Sequence, residues 1–307
     1  MSTQAVVSLP ARPSLRVVAE YLKPVTWFPP MWAFACGAVA SGESLLSNWF
    51  ILLVGVLLAG PLVCATSQAV NDWYDREVDA INEPQRPIPS GRMPGLWGLY
   101  IAIGWTALSL LVASTLGVWG FAAAAIGLAL AWAYSAPPLR LKRNGWWGCA
   151  ACGLSYEGLA WATGAAVMAG GVMPEARSLL LALLYSVGAL GIMALNDFKA
   201  IEGDRRMGIG SLPVRLGVDR AAWVSCAFML APQFVVVGLL LNWGAPWHAW
   251  AVVGLMLGQA VLMAWFIAQP VARALYYSGF GVPLFVAGMM VSAFGLRGVG
   301  LAVGGGV

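Results

Sequence analysis

Charge is what this sequence has least of. Among 307 residues only 10% are Asp, Glu, Lys or Arg, against roughly 25% in a soluble domain. Hydrophobic residues make up 60%, and mean hydropathy is +0.78. A soluble fold of this length needs more polar surface than that, so a soluble enzyme and a disordered chain are both set aside.

Histidine is nearly missing too: His248 is the only one. The five cysteines are Cys36, Cys64, Cys149, Cys152 and Cys226. Cys149 and Cys152 form one C-x-x-C with no second pair, so a zinc, haem-ligating or iron–sulfur site is not expected. Residues 1–24 carry Arg12, Arg16 and Lys23 and no apolar core before Pro24, so no secretory signal is expected. Nor is a nucleic-acid partner.

What the chain has is apolar length. Nine stretches stand out, near 25–42, 48–70, 96–116, 119–136, 146–170, 178–196, 221–241, 246–268 and 278–296. Each is close to the roughly 20 residues that cross a bilayer as a helix. Trp often sits near their ends, as in an interfacial belt. The expected fold is an all-α polytopic membrane protein. About nine transmembrane helices would surround a central cavity. The expected organisation is a segment 1–24, one membrane domain over 25–297 and a tail 298–307.

Basic residues set the orientation. With nine spans, Lys and Arg fall 15 to one side, and only Arg177 and Arg297 to the other. The positive-inside rule then places the N-terminus and the charged loops in the cytoplasm.

The few charges are clustered. Residues 71–92 hold eight and residues 197–220 hold nine. The first cluster opens Asn71-Asp72-Trp73-Tyr74-Asp75-Arg76-Glu77-Val78-Asp79, directly after the second apolar stretch. If that helix continues, Asp72, Asp75 and Asp79 share one stripe. Three like charges in a row repel, and a divalent cation between them would offset the cost. The second cluster opens Asn196-Asp197-Phe198, after the sixth stretch, and runs through Lys199, Glu202 and Asp204. Laid over the first at an offset of 125, Asn71 meets Asn196, Asp72 meets Asp197 and Asp79 meets Asp204. Asp75 falls opposite Ala200, so Asp197 or Glu202 is expected to supply the missing oxygen. Two related motifs suggest parallel repeats around a shared cavity.

Carboxylate and amide oxygens are hard ligands suited to Mg²⁺. Asn71, Asp72, Asp75, Asp79, Asn196, Asp197, Glu202 and Asp204 are the candidate metal ligands. Basic residues are interleaved: Arg86, Arg140, Lys142, Arg205 and Arg206. Acids for Mg²⁺ and bases for phosphate oxygens together describe a diphosphate site. A diphosphate at the mouth of an apolar bundle points to an isoprenyl diphosphate, with the charged head between the motifs and the tail among helices or lipid. Cations would stabilise the departing diphosphate, and an aromatic face would stabilise an allylic carbocation. Trp73, Tyr74, Tyr134 and Tyr156 are candidates for that face.

These residues resemble the membrane-embedded prenyltransferases of the type that prenylates 4-hydroxybenzoate. The Asn-Asp-x-x-Asp-x-x-x-Asp motif is matched by Asn71, Asp72, Asp75 and Asp79. A Tyr-Ser-x-x-Pro-x-Arg-x-Lys-like loop is matched from Tyr134 and Ser135 through Arg140 to Lys142. Of the second acid motif, Asp204 is in register, with Ala200 in the other place. A narrower likeness is to the chlorophyll synthase branch, in NDWYDREVDAINEPQRPIPSG, YSAPPLRLKRNGWWG and NDFKAIEGDRRMGIGSLPVRLG. KPVTWFPPMWAFACG and LSYEGLAWATGAA are most similar to bacteriochlorophyll synthases.

The resemblance implies Mg²⁺-dependent transfer of a geranylgeranyl or phytyl group to the propionate of (bacterio)chlorophyllide. It implies Asp72, Asp75, Asp79, Asp197, Asp204 and Lys142 as catalytic residues. Arg86, Tyr134, Ser135, Arg140, Lys142, Lys199, Arg205 and Arg206 would bind substrate. The setting would be a bacterial inner, photosynthetic membrane, with the catalytic loops cytoplasmic and pigment-assembly proteins as candidate partners. Competing readings are prenylation of a quinone precursor or of haem, a transporter of an anionic lipid precursor, and a pigment-binding assembly protein.

Glu157 is the only charge placed inside an apolar stretch, which makes it a functional candidate. It is expected to contact a tetrapyrrole edge, ligate its central Mg²⁺, pair with a base, or be neutral and hydrogen-bonded between helices. Gly153, Gly158, Gly164 and Ala165 around it either permit close helix packing or leave room for a flat ring.

Overall fold

The computed structural model describes residues 12–304. The order is α1 (Leu15–Tyr21), α2 (Phe28–Ala40), α3 (Trp49–Leu57), α4 (Ala65–Asn82), α5 (Trp97–Ser114), α6 (Gly117–Ser135), α7 (Gly145–Gly153), α8 (Ala160–Met168), α9 (Ala176–Asp197), α10 (Ile201–Arg206), α11 (Leu212–Leu216), α12 (Val218–Asn242), α13 (Pro246–Ala268) and α14 (Pro270–Gly304). Among the described residues there is no strand, only one isolated parallel bridge between Asn144 and Gly210. Every predicted apolar stretch is helical over most of its length. The proposed segment 1–24 and tail 298–307 extend beyond the described residues at 1–11 and 305–307.

Among the described residues, seven helices are long and apolar enough to cross a membrane: Trp49–Asn82, Trp97–Ser114, Gly117–Ser135, Ala176–Asp197, Val218–Asn242, Pro246–Ala268 and Pro270–Gly300. The first and fifth apolar stretches differ from these. α2 has 13 residues, short of a full span. The fifth is divided between α7 and α8 by a π-helical segment, Leu154–Leu159.

A second π segment, Leu58–Cys64, joins α3 to α4. Pro61 lies inside it. Proline has no N–H and its ring crowds the carbonyl one turn back, and the wider turn accommodates both. The indole of Trp105 donates to the Pro61 carbonyl at 3.1 Å, giving that oxygen a partner where water is absent.

Small residues let the helices approach. A side chain at Gly164 would collide with the Phe34 carbonyl of α2. At Gly153 it would meet the Ser186 carbonyl of α9 at 2.7 Å, and at Gly158 the Ser186 hydroxyl. These glycines serve close packing rather than an open slot for a ring, and Ala165 is buried with them at 2% exposure. The largest buried cluster runs through α9, α12, α13 and α14 and includes Tyr185, Met229, Phe266 and Phe285. Against this core the other helices hold the site.

A candidate diphosphate site between two acid motifs

α4 continues unbroken through the first motif to Asn82, so Asp72, Asp75 and Asp79 do share one stripe. The repulsion expected from that stripe is offset by basic side chains from three separate segments. Lys23 Nζ lies 2.5 Å from Asp72 Oδ1. Arg86 Nη1 reaches Asp79 Oδ2 at 2.8 Å and Asp72 Oδ1 at 3.3 Å, and also pairs with Glu83. Asp75 is held by Arg140 at 3.3 Å and by Lys142 at 2.5 Å. Asn71 donates to Ser135 at 3.4 Å.

Local backbone brings two of these bases in. Lys23 has φ 50° and Arg140 φ 37°, the two non-glycine residues in the left-handed region among those described. That conformation costs an L-residue roughly 1–2 kcal/mol. Both strained residues are cations aimed at the same acid stripe, the pattern of strain kept at a functional site.

The second motif sits at the end of α9 and in α10. Asn196, Asp197 and Asp204 line a polar cavity with Tyr134, Lys142, Gly145, Cys152 and Ser211. Lys142 therefore belongs to both motifs: it pairs with Asp75 and lines the cavity of Asp197 and Asp204. An apolar cavity lies alongside, lined by residues that include Phe34, Leu58, Val63, Leu130, Ala160 and Thr163. Tyr134 and Cys152 line both spaces. Both π segments contribute to the apolar wall, through Leu58, Ala59, Val63 and Cys64 on one side and Ser155, Tyr156 and Leu159 on the other.

The electrostatics follow from partial burial. For Arg86, burial pulls the guanidinium down, but Asp72, Asp79 and Glu83 outweigh it and hold it above its ordinary value. Lys142 shows the opposite balance: burial pushes its ammonium below the usual lysine range, and Asp75 recovers only part of the loss. Burial pushes the Asp204 carboxyl up, against the lowering effect of the Ser211 hydroxyl beside it.

Other sequence-predicted residues fall elsewhere. Glu202 points to solvent and pairs with Arg206 at 3.0 Å and Arg205 at 3.9 Å on its own helix. Of the two residues expected to supply the oxygen missing at Ala200, Asp197 lines the polar cavity and Glu202 does not. Its i, i+3 and i, i+4 spacing to the two arginines favours a local surface network instead. Arg205 and Arg206 share that surface, and Lys199 is exposed. Glu157 is buried at 4% exposure within the second π segment. It does not line either cavity, although its neighbours Ser155 and Tyr156 line the apolar one.

Sequence reasoning missed Lys23 as a site residue, counting it only toward topology. A lone cation directly before Pro24 at the head of the first apolar stretch was the available signal. It also missed Ser211 and Cys152, whose placement depends on tertiary packing.

The donor set suits a hard cation. Asp72 Oδ2 is buried with no hydrogen-bond partner, an orphaned carboxylate oxygen of the kind a cation satisfies. Among the described residues, no three His, Cys, Asp or Glu side chains already converge on one point. Each acid of the first stripe is instead turned toward a base.

The chain resembles known proteins over nearly its whole length. The chain is 53% identical to the bacteriochlorophyll synthase 33 kDa chain of Rhodobacter capsulatus, over 93% of this chain and 95% of that one. It is 39% identical to the chloroplastic chlorophyll synthase of Oryza sativa subsp. japonica, over 91% of this chain and 76% of the other. In three dimensions it resembles a UbiA homolog from Archaeoglobus fulgidus solved with GPP and Mg²⁺. The TM-score is 0.63 at 19% identity, covering 94% of this chain and 99% of that one. The sequence profile of the UbiA prenyltransferase family matches residues 26–297, which takes in both acid motifs and the loop between them, and the chain belongs to that family.

Proposed function

We propose that the protein transfers a geranylgeranyl or phytyl group from its diphosphate to the propionate carboxylate of a (bacterio)chlorophyllide. The observation that carries this reading is the place of Lys142. It pairs with Asp75 of the first motif and lines the polar cavity of the second, which shares Tyr134 and Cys152 with the apolar cavity, so a charged head and a greasy tail are served side by side. The names of the relatives, bacteriochlorophyll and chlorophyll synthases, supply the acceptor class.

In this reading Lys23, Arg86, Arg140 and Lys142 leave the carboxylates and take the diphosphate oxygens as donor arrives. The prenyl tail lies in the apolar cavity, past Tyr134 and Cys152. The allylic carbon–oxygen bond breaks, its electron pair leaves with the diphosphate, and a propionate oxygen bonds to the same carbon. The acceptor is already ionised at neutral pH, so no general base is required. Tyr134, at the junction of the cavities, presents a ring face to the cationic carbon. Asn71, Asp72, Asp75 and Asp79 would hold Mg²⁺ on one side, and Asn196, Asp197 and Asp204 on the other. Bound there, Mg²⁺ supplies charge stabilisation for the departing diphosphate. Glu157 is retained as a candidate acceptor contact through the wall formed by Ser155 and Tyr156. The loops are proposed to face the cytoplasm of a photosynthetic membrane, as the 15 to 2 distribution of basic residues indicates.

The test incubates membranes containing the protein with Mg²⁺, geranylgeranyl diphosphate and bacteriochlorophyllide. Esterified pigment is the expected product. Prenylated 4-hydroxybenzoate with no esterified pigment would overturn the assignment.

A further inference from the structure

Two loops that carry opposite halves of the site are fastened to each other by their backbones. Gly145 N–H donates to the Gly210 carbonyl at 2.8 Å, and Gly210 N–H donates to the Arg143 carbonyl at 3.0 Å. This is the isolated bridge of Asn144 with Gly210. The Asn144 side chain secures it twice: its Oδ1 accepts from Trp146 N–H at 3.0 Å, capping α7, and from Arg215 Nη1 at 3.2 Å. Glycine makes the approach feasible. A Cβ at Gly145 would stand 2.7 Å from Leu212 N and 3.0 Å from the Gly210 carbonyl oxygen. One turn on, a Cβ at Gly148 would stand 3.2 Å from Lys142 Cα.

The chemistry lies immediately beside this fastening. Lys142 precedes Arg143 in the chain and pairs with Asp75 of the first motif. Ser211 follows Gly210 and lines the polar cavity with Asp197 and Asp204. Backbone hydrogen bonds from Gly210 to Arg143 and Gly145 therefore fix how far the Lys142 segment stands from the second acid motif.

We propose that this clip is a positioning device for the diphosphate: Gly145 and Asn144 hold Lys142 and the Asp197–Asp204 pair at the spacing the diphosphate bridges, without touching it. The inference rests on the prenyl diphosphate reading above. A donor diphosphate gains most from groups already held in place, and a misplacement of about 1 Å costs up to about 100-fold. The acceptor ring has no such dependence on the clip.

The experiment uses the full chain in detergent and titrates inorganic diphosphate in the presence of Mg²⁺ by calorimetry, with KM measured for both substrates. Gly145→Ala is expected to weaken diphosphate binding by about tenfold, with the prenyl diphosphate KM rising in step and the acceptor KM unchanged. Asn144→Ala, which removes both hydrogen bonds to its Oδ1, is expected to weaken it by at least about threefold. Asn144→Asp keeps both acceptor contacts and is expected to restore it. The Asn144 pair decides the matter should Gly145→Ala fail to fold. Unchanged diphosphate affinity in a folded Gly145→Ala, no rescue by Asn144→Asp, or an equal rise in both KM values would each overturn the proposal. A wild-type protein that binds no diphosphate at all would instead sink the prenyl diphosphate reading.

Discussion

Lys23 Nζ stands 2.5 Å from Asp72 Oδ1, and the lysine reaches it from a left-handed backbone at φ 50°. The contact links the head of the first apolar stretch to the acid motif 49 residues later. Lys23→Ala removes a charge-assisted contact worth about 1.5–3 kcal/mol. It is expected to lower kcat/KM by roughly 10–100-fold, read out in prenyl transfer by membranes containing equal amounts of variant. Wild-type kinetics would show that Lys23 serves topology alone.

Asp75 and Asp79 are engaged by different bases, Lys142 with Arg140 and Arg86 respectively. Asp75→Ala and Asp79→Ala should each abolish turnover while leaving membrane insertion intact. Loss of Asp75 also leaves Arg140 and Lys142 without their carboxylate, at a cost of about 3–5 kcal/mol for a fully buried pair and less here, whereas Arg86 keeps Asp72 and Glu83 when Asp79 is lost. Lower thermal stability is therefore expected alongside inactivity for Asp75→Ala above all. Turnover retained in both variants would exclude the proposed ligand role.

Glu202 and Asp204 offer a direct contrast two residues apart. Glu202 pairs only with exposed arginines, whereas Asp204 lines the polar cavity. Glu202→Ala is expected to change stability by less than about 0.5 kcal/mol, as at an ordinary surface position, with activity retained. Asp204→Ala is expected to inactivate. Equal loss in both assays would return Glu202 to the site.

The Glu20–Arg92 pair fastens α1 to the loop after α4, with N–O distances of 2.6 and 2.7 Å. The hydrogen bond from Arg92 holds the Glu20 carboxyl below its ordinary 4.5. A depressed carboxylate contributes stability that is present above the unfolded value and lost as pH falls through the folded one. The contribution is small, about 0.2–1 kcal/mol for an exposed pair. Thermal melts should show Arg92→Ala slightly less stable than wild type at pH 7, with the gap closing below pH 4.5. A gap that persists in acid would assign the effect to packing rather than to the ion pair.

Much of the architecture was legible because apolar length is a one-dimensional signal. The stretch near 178–196 became Ala176–Asp197, and that near 246–268 became Pro246–Ala268. The shared stripe of Asp72, Asp75 and Asp79 was legible for the same reason, since helical periodicity alone sets it. Partners across the chain were not. Lys23 is 49 residues from Asp72, and the choice between Asp197 and Glu202 stayed open because the direction Glu202 faces depends on how the short helix α10 turns. Whether glycines in the fifth stretch leave space or fill it was likewise undecidable until Ser186 and Phe34 were seen against them.

The π segment Leu58–Cys64 has a consequence for the acid motif that its distance along the chain conceals. The helix from Trp49 to Asn82 is continuous through it, and successive residues of an α-helix are rotated by about 100°. A wide turn changes the angular phase of everything downstream. The azimuth at which Asp72, Asp75 and Asp79 face Lys23, Arg86 and Lys142 is thus set partly by the wide turn around Pro61. Losing one residue there would keep every acid in the sequence and rotate all three away from their partners together. In this helix the spacing of apolar residues near Pro61 is as much a part of the site's address as the carboxylates themselves.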